Sequence, residues 1–246
     1  MKTLAGPVLI VAATSDIGAA LAQAYGARGL DLILTARNAA DLATLKADLE
    51  VRHKVGVRTV ECDVTAVDPD AFLDGLGEVP GTVVLVAGLL GDQDASAADP
   101  KLAAQVMATN YNGPSQLLLA AARRMRERGS GALIGISSVA GDRGRGSNFI
   151  YGSAKAGFTA FLSGLRNSFS QSGVQVITVK PGFVATRMTA NMKLPPALTA
   201  QPAEVARAVV RAQEKGKDVI YTRPIWWLVM TIIRHIPEPI FKKLSL

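Results

Sequence analysis

The 246-residue sequence predicts an α/β fold, a doubly wound parallel sheet of roughly seven strands with helices on both faces. Short β-branched runs alternate with longer stretches of Ala and Leu at helical spacing, which is βαβ punctuation. The strand candidates lack polar alternation, as expected when helices cover both faces of a sheet. A turn of small residues joins the first strand directly to the first helix, where such a sheet opens its ligand crevice.

Taken in order, strands are expected at 8–11, 31–35, 57–60, 82–86, 132–136, 174–179 and 218–221. Helices are expected at roughly 17–28, 39–54, 100–127, 151–172 and 202–215. The apolar stretch that follows Met1-Lys2 faintly imitates a signal peptide, but it runs into the glycine turn that the fold needs, so it reads as the first strand. The second strand ends Thr35-Ala36-Arg37, the third leads to Cys62-Asp63-Val64, and the fourth to Val86-Ala87-Gly88. The fifth ends Ile136-Ser137-Ser138, the sixth precedes Pro181-Gly182, and the seventh precedes an apolar C-terminal run. No repeat, low-complexity tract or linker interrupts the series. The expectation is one Rossmann-type domain over 1–246, with 187–202 as a substrate lid and 224–246 as an apolar and basic C-terminal segment.

Composition narrows the partners. Hydrophobic residues make up 49% of the chain, ample for one sizeable core. Lys and Arg number 27 against 20 Asp and Glu, a formal charge of +7 that favours phosphorylated cofactors, acidic lipid or nucleic acid. The basic residues form no aromatic-interleaved block and no helix-turn-helix or zinc-finger spacing, so nucleic acid is set aside. Cys62 is the only cysteine and cannot form an internal disulfide, which fits a reducing cytoplasm. The run Pro224 to Ile233 is far below the ~20 residues needed to span a bilayer. His53 and His235 lie far apart without metal-ligand spacing, and no metal is expected.

The segment Ala12-Ala13-Thr14-Ser15-Asp16-Ile17-Gly18 opens the first helix. A strand-to-helix turn presents free backbone N–H groups and the positive end of a helix dipole, and small residues let the backbone approach phosphates, so a dinucleotide pyrophosphate is expected there. Thr14 and Ser15 add hydroxyl donors. Ala12 and Asp16 hold two places usually filled by glycine, and only Gly18 remains; in isolation the segment also reads as an ordinary turn. No acid closes the second strand to accept ribose hydroxyls. Arg37 stands there instead, and its guanidinium suits a 2′-phosphate, so NADP(H) is the preferred cofactor and NAD(H) the alternative. Asp63 either accepts from the adenine amino group or serves as a turn or helix cap.

At the other end of the crevice, Ser138 is followed thirteen residues later by Tyr151-Gly152-Ser153-Ala154-Lys155. Tyr151 and Lys155, four apart, share a helix face. An ammonium ~4 Å from a phenolate contributes ~4 kcal/mol at an effective dielectric near 20. That predicts a tyrosine pKa lowered from ~10 toward ~7, which makes Tyr151 a usable general acid or base. Ser138 is placed to donate to a substrate carbonyl oxygen, and Lys155 to hold the nicotinamide ribose.

Strand-end Ser, YxxxK helix and small-residue turn together resemble the short-chain dehydrogenase/reductase family over essentially the whole chain. The resemblance implies transfer of a hydride between nicotinamide and a carbonyl/alcohol pair in a homo-oligomer, dimer or tetramer. It selects Ser138 over Ser137, and it makes Asn110, in Thr109-Asn110-Tyr111-Asn112-Gly113, the helix-borne member of a proton relay through a water and Lys155. The bland alternative for Asn110 is a polar group satisfying backbone in a helix bend. The resemblance also places Val64, Ala87, Gly88, Pro181, Gly182, Val184 and Thr186 against the cofactor. Val86-Ala87-Gly88 departs from the family's Asn-Asn-Ala-Gly, so the chain reads as a divergent member.

Leu89-Leu90-Gly91-Asp92, Asn148-Phe149-Ile150-Tyr151 and the tail around Arg234-His235-Ile236-Pro237 are similar to decaprenylphosphoryl-2-keto-ribose reductases. That likeness implies a polyprenylphosphoryl 2-ketosugar as substrate; a 3-oxoacyl thioester or steroid-like ketone is the alternative, and a non-catalytic NADP-binding regulator is a third reading. Arg143, Arg145 and Lys193 are placed to meet a phosphate near the mouth of the site, and solvated basic residues would look the same. Met188 and Met192 are expected to line an apolar lid over substrate. Trp226-Trp227-Leu228-Val229-Met230-Thr231-Ile232-Ile233, followed by basic residues, suits either a peripheral contact with the cytoplasmic membrane or burial between subunits.

Overall fold

The computed structural model describes residues 4–244. Met1-Lys2 and the last two residues of the 224–246 segment lie outside the described residues. The central sheet forms from β1 (Val8–Val11), β2 (Leu32–Ala36), β3 (Val57–Glu61), β4 (Thr82–Leu85), β5 (Gly131–Ile136), β6 (Val174–Lys180) and, after the short strands β7 (Phe183–Val184) and β8 (Thr199–Ala200), β9 (Val219–Tyr221). Its order is β3-β2-β1-β4-β5-β6-β9, parallel throughout, with Val8 paired to Leu32 on one side and Thr82 on the other. This is the Rossmann-type sheet that the sequence predicts. The strand order reverses between β1 and β4, which opens a crevice at the carboxyl ends of those strands.

Burial explains the strand sequences. β1, β2 and β4 are buried at every position, because helices cover both faces. β3 is one edge, opposite β9, and is half polar: Arg58 reaches the Leu76 carbonyl at 3.0 Å and Glu78 at 2.8 Å, which blunts that edge. The sheet divides two apolar layers. One packs Tyr25, Leu21 and Val209 beneath the sheet; the other packs Leu117, Met125, Phe158 and Leu162.

The helices are α1 (Asp16–Gly26), α2 (Ala43–His53), α3 (Pro69–Gly75), α4 (Gln93–Ala98), α5 (Pro100–Met107), α6 (Gly113–Arg128), α7 (Phe149–Ser168), α8 (Pro202–Glu214), α9 (Ile225–His235) and α10 (Glu238–Phe241). The single helix expected over 100–127 is instead α5, a π-helical turn at Ala108–Asn112, and α6. Pro114 has no N–H and its ring crowds the carbonyl of residue 110, so the ladder opens there. The expected stretch 151–172 begins two residues earlier and ends at Ser168, since 169–172 form turns before Gly173 at φ +74°. Residues 39–42 are a 3-10 turn rather than the start of α2. Among the described residues no helix is long and apolar enough to cross a membrane.

The C-terminal segment folds back on the sheet. Trp226 and Met230 of α9 are buried against Val139, while Trp227, Leu228 and Ile232 point outward. Arg143 holds this arrangement: its guanidinium donates to the carbonyls of Ile233 and Ile236 at 2.6 Å, pairs with Glu238 at 2.8 Å and lies 3.6 Å over the Phe241 ring. It caps the end of α9.

Candidate active site

The turn after β1 is built on an unusual alanine. Ala12 has φ +67°, the left-handed conformation that glycine adopts freely. The backbone thus keeps a glycine's shape while carrying a methyl group. Gly18 has no such latitude, because a Cβ there would sit 2.5 Å from the Ala12 carbonyl oxygen and 2.9 Å from the Ala13 Cα. Its bare backbone lets α1 dock tightly on the end of β1, leaving a cradle that suits a pyrophosphate. Ser15 was expected to offer a hydroxyl donor. Instead it donates to the Ala12 carbonyl at 2.8 Å and accepts from the Gly18 N–H at 3.1 Å, as the N-cap of α1.

Asp16, expected in the phosphate turn, is tied down from the far side of the crevice. Its carboxylate accepts the Arg187 N–H at 2.7 Å and pairs with the Arg187 guanidinium at 3.2 Å. That guanidinium also donates to the Thr14 carbonyl. Arg187 opens the expected lid, but nothing local in the sequence ties it to the turn, since its partners lie more than 170 residues upstream.

One wall of the crevice gathers Ala12, Thr14, Ser15, Arg37, Asp63, Val64, Ala87 and Gly88. Arg37 follows β2, is exposed, and makes no ion pair with a described residue, so its guanidinium is free to meet a phosphate. Asp63 is drawn into an Asx-turn, accepting from the Thr65 N–H at 2.9 Å and its hydroxyl at 2.7 Å; these bonds, and Arg37 nearby, hold its carboxyl below the usual range. The two uses expected of Asp63 are compatible, since a carboxylate has lone pairs to spare.

The adjoining cleft, of about 870 Å³ including its open mouth, is lined by Ile17, Gly88, Ser138, Tyr151, Lys155, Pro181, Gly182, Val184 and Thr186, with apolar cover from Met188 and Met192. The structure therefore brings Ser138, from the end of β5, against Tyr151 and Lys155 of α7. Ser138 lines the cleft beside the Tyr151 phenol and accepts the Ala140 N–H at 3.1 Å. Ser137 also borders the cleft, but its hydroxyl is committed elsewhere, donating to the Lys155 carbonyl at 3.0 Å and lying 2.6 Å from the Thr159 hydroxyl.

The expected electrostatics need correction. Lys155 is 3% exposed, its Nζ donates to the Ile136 carbonyl at 3.0 Å, and it stands 5.8 Å from the Tyr151 ring centroid. Burial pushes the lysine down to about 7 and pushes the tyrosine up, with only the Ser138 hydrogen bond drawing it back. Lysine thus loses its charge near neutrality, before it can pull the phenol down.

Asn110 sits in the π-helical turn and is fully buried. Its amide donates to the carbonyls of Leu89 at 2.6 Å and Val106 at 2.8 Å, and its oxygen accepts from the Leu89 N–H at 3.3 Å. All its side-chain valences that the structure fixes go to backbone, which is the bland alternative; the side chain clamps the strand-end loop beside Gly88, where a Cβ would lie 3.2 Å from its Oδ1 and 3.6 Å from the Lys155 Nζ.

Two further corrections concern substrate residues. Arg143, expected at the mouth, is committed to capping α9 and does not line the cleft; Lys193 is exposed and also absent from its walls. Arg145 does line it. Trp226, Phe183, Val139, Leu90 and Asn148 are also among the lining residues, and no local pattern in the sequence gathers them. Trp226 packs so closely on Gly182 that a Cβ there would lie 1.9 Å from the indole, its N–H donates to the Leu198 carbonyl at 3.0 Å, and Phe183 meets it edge-on at 5.3 Å. Among the described residues no group of three or more His, Cys, Asp or Glu side chains could hold a metal.

Comparison with known proteins agrees with this geometry. The family model described as short chain dehydrogenase matches residues 7–196. An uncharacterised oxidoreductase of Mycobacterium tuberculosis is 37% identical over 247 residues, covering 98% of this chain and 98% of its own length. The structure of a short-chain dehydrogenase from Sphingobium yanoikuyae in complex with NADPH superposes with a TM-score of 0.81 at 26% identity, covering 96% of this chain and 95% of that one. A variant of the actinorhodin polyketide ketoreductase with NADPH gives a TM-score of 0.79 at 25% identity, over 90% and 97%.

Proposed function

Because the chain belongs to the short-chain dehydrogenase family, we propose that it is an NADP(H)-dependent reductase of a carbonyl substrate, with Ser138, Tyr151 and Lys155 as its catalytic residues. The observation that carries this is the convergence of those three side chains in one cleft contiguous with the Arg37 wall. The crevice suits a dinucleotide, with Arg37 on the 2′-phosphate, the Ala12–Gly18 turn on the pyrophosphate, Asp63 and Val64 toward adenine, and Pro181, Val184 and Thr186 toward nicotinamide. Bound there, the nicotinamide supplies the hydride.

The residues do the rest. Ser138 donates to the carbonyl oxygen and orients it, and Tyr151 gives that oxygen its proton as hydride arrives at carbon. Lys155 replenishes the proton: with its pKa about 7 it exchanges readily at neutral pH. Asn110 holds the Leu89 loop and Gly88 backbone in place, so its role is positioning. Segment 187–202 acts as the lid within a single domain, with Met188 and Met192 on its inner side and the Arg187–Asp16 pair as its latch.

The substrate is an apolar ketone with a polar end, and a polyprenylphosphoryl 2-ketosugar, a 3-oxoacyl thioester and a steroid-like ketone all meet that description. The outer side of α9, Trp227, Leu228 and Ile232 with Arg234 and His235 beyond, is a contact surface for a second copy in a homo-oligomer or for the cytoplasmic membrane; sedimentation alone and with anionic liposomes separates the two. Assay with NADPH and a panel of ketones tests the catalytic assignment. Tyr151→Phe is expected to lower kcat by at least a hundredfold while NADPH still quenches protein fluorescence; substantial residual turnover would remove Tyr151 as the acid.

A further inference from the structure

The apolar cleft has one polar corner, on the loop that enters α7. Arg145 lines it, with its Nε buried and without a hydrogen-bond partner. A buried guanidinium nitrogen left unpaired is costly, and its position calls for a partner. The carboxylates around it are already engaged: Glu238, on a second pocket that Arg145 also lines, pairs with Arg143 at 2.8 Å. The carboxylate nearest in sequence, Asp142, is already divided: one oxygen pairs with the Lys180 Nζ at 2.5 Å and the other accepts the Tyr221 hydroxyl at 2.7 Å. Burial draws the Arg145 guanidinium below its usual range, with Asp142 opposing only from a distance.

Asn148, three residues on, repeats the pattern. It stands at the N-cap of α7, where an Asn side chain ordinarily accepts a backbone N–H, yet it makes no capping bond and its Oδ1 is buried without a partner in the same cleft. Loop 145–148 thus aims an uncommitted cation and an uncommitted amide at the substrate space, against walls of Leu90, Val139, Phe183 and Trp226.

We infer that Arg145, supported by Asn148, is the specificity-determining anion site of this enzyme, selecting carbonyl compounds whose apolar body carries a carboxylate or phosphate group. The inference rests on the carbonyl-reductase reading and names its substrate class. The anion takes charge-assisted hydrogen bonds from the terminal nitrogens of Arg145, and Asn148 takes a neighbouring hydroxyl or turns its amide to donate.

Benzoylformate and benzoylpropionate, their methyl esters, and phenacyl phosphate are suitable probes, since each keeps an aromatic body for the apolar walls and varies the anion and its reach. The intact enzyme with NADPH is expected to favour at least one acid over its own ester by about 10- to 100-fold in kcat/KM. The larger preference between carboxylate and phosphate identifies the natural anion. In Arg145→Met that ratio falls toward one, and Arg145→Lys keeps part of it. Esters reduced as well as every anion, or a ratio unchanged in Arg145→Met, overturns the inference and leaves the reductase reading standing. If no ketone is reduced, the reductase reading fails on its own; Arg145 is then judged by thermal shift with benzoylformate and with phenacyl phosphate. A stabilisation that Arg145→Met abolishes upholds the anion site, and no stabilisation by either removes it.

Discussion

Gly182→Ala puts a single methyl group into the tightest contact of the cleft. The new Cβ would lie 1.9 Å from Cε2 and 2.0 Å from Nε1 of Trp226. Carbon atoms in contact prefer about 3.5–4.0 Å, so the indole must retreat by roughly 1.6–2 Å. It has little room: Trp226 is 5% exposed, its N–H donates to the Leu198 carbonyl at 3.0 Å, and its ring sits edge-on to Phe183. The retreat breaks that hydrogen bond in a buried place, which costs about 1–3 kcal/mol. Losing the aromatic geometry adds about 0.5–1.5 kcal/mol. A total of about 2–4 kcal/mol lowers Tm by roughly 4–15 °C in a domain of this size. Scanning calorimetry measures it, and indole emission in a Trp227→Phe background reports Trp226 alone. Because Trp226 walls the cleft, KM for a bulky ketone should rise as well. A variant that melts within about 2 °C of the parent with unaltered emission would refute the claim that Trp226 is pinned.

Three other outcomes are expected. Arg37→Asp should raise the Kd for NADPH by more than about 30-fold, through a lost charge-assisted contact and new repulsion, and leave NADH nearly unchanged; equal losses for both would take the 2′-phosphate away from Arg37. Ala12→Gly should stabilise the protein by up to about 1 kcal/mol in urea unfolding, since alanine is strained at φ +67°; clear destabilisation would show that the methyl packs productively. The buried Lys155 sets a pH trend: with its pKa lowered from 10.5 to about 7, the unfolded chain binds the extra proton between those values. The burial penalty is then felt in full below pH 7 and relieved as pH rises to 10.5, by no more than about 5 kcal/mol. Lys155→Met should flatten that rise in stability, and an unchanged slope would show that the lysine stays charged in the fold.

How much of this was legible beforehand follows from the range of each interaction. Strand and helix positions come from local periodicity, and the all-apolar strands already imply a sheet covered on both faces. Tyr151 and Lys155 share a helix face by spacing alone, and Arg37 and Ser138 sit at strand ends that any doubly wound sheet turns toward its crevice. The break at 108–112 was half written in Pro114, whose effect on the preceding turn is local.

What the sequence could not determine depends on contacts between distant segments. Arg143 and Arg145 are two residues apart and alike in chemistry, but only the return of α9 to the sheet decides that Arg143 caps a helix while Arg145 is left facing the cleft. The same return brings Trp226 onto Gly182, and the Arg187–Asp16 pair joins two ends of the chain. The Tyr151–Lys155 electrostatics were misjudged for the same reason, because spacing says two groups are neighbours but not how dry their surroundings are. Sequence by itself therefore determined the sheet, its crevice and which of the proposed catalytic side chains reach it, which follow from short-range periodicity and the geometry of strand ends. Tertiary structure alone decided the walls of the site and the charge state of what lies inside, because burial is a property of everything packed around a residue.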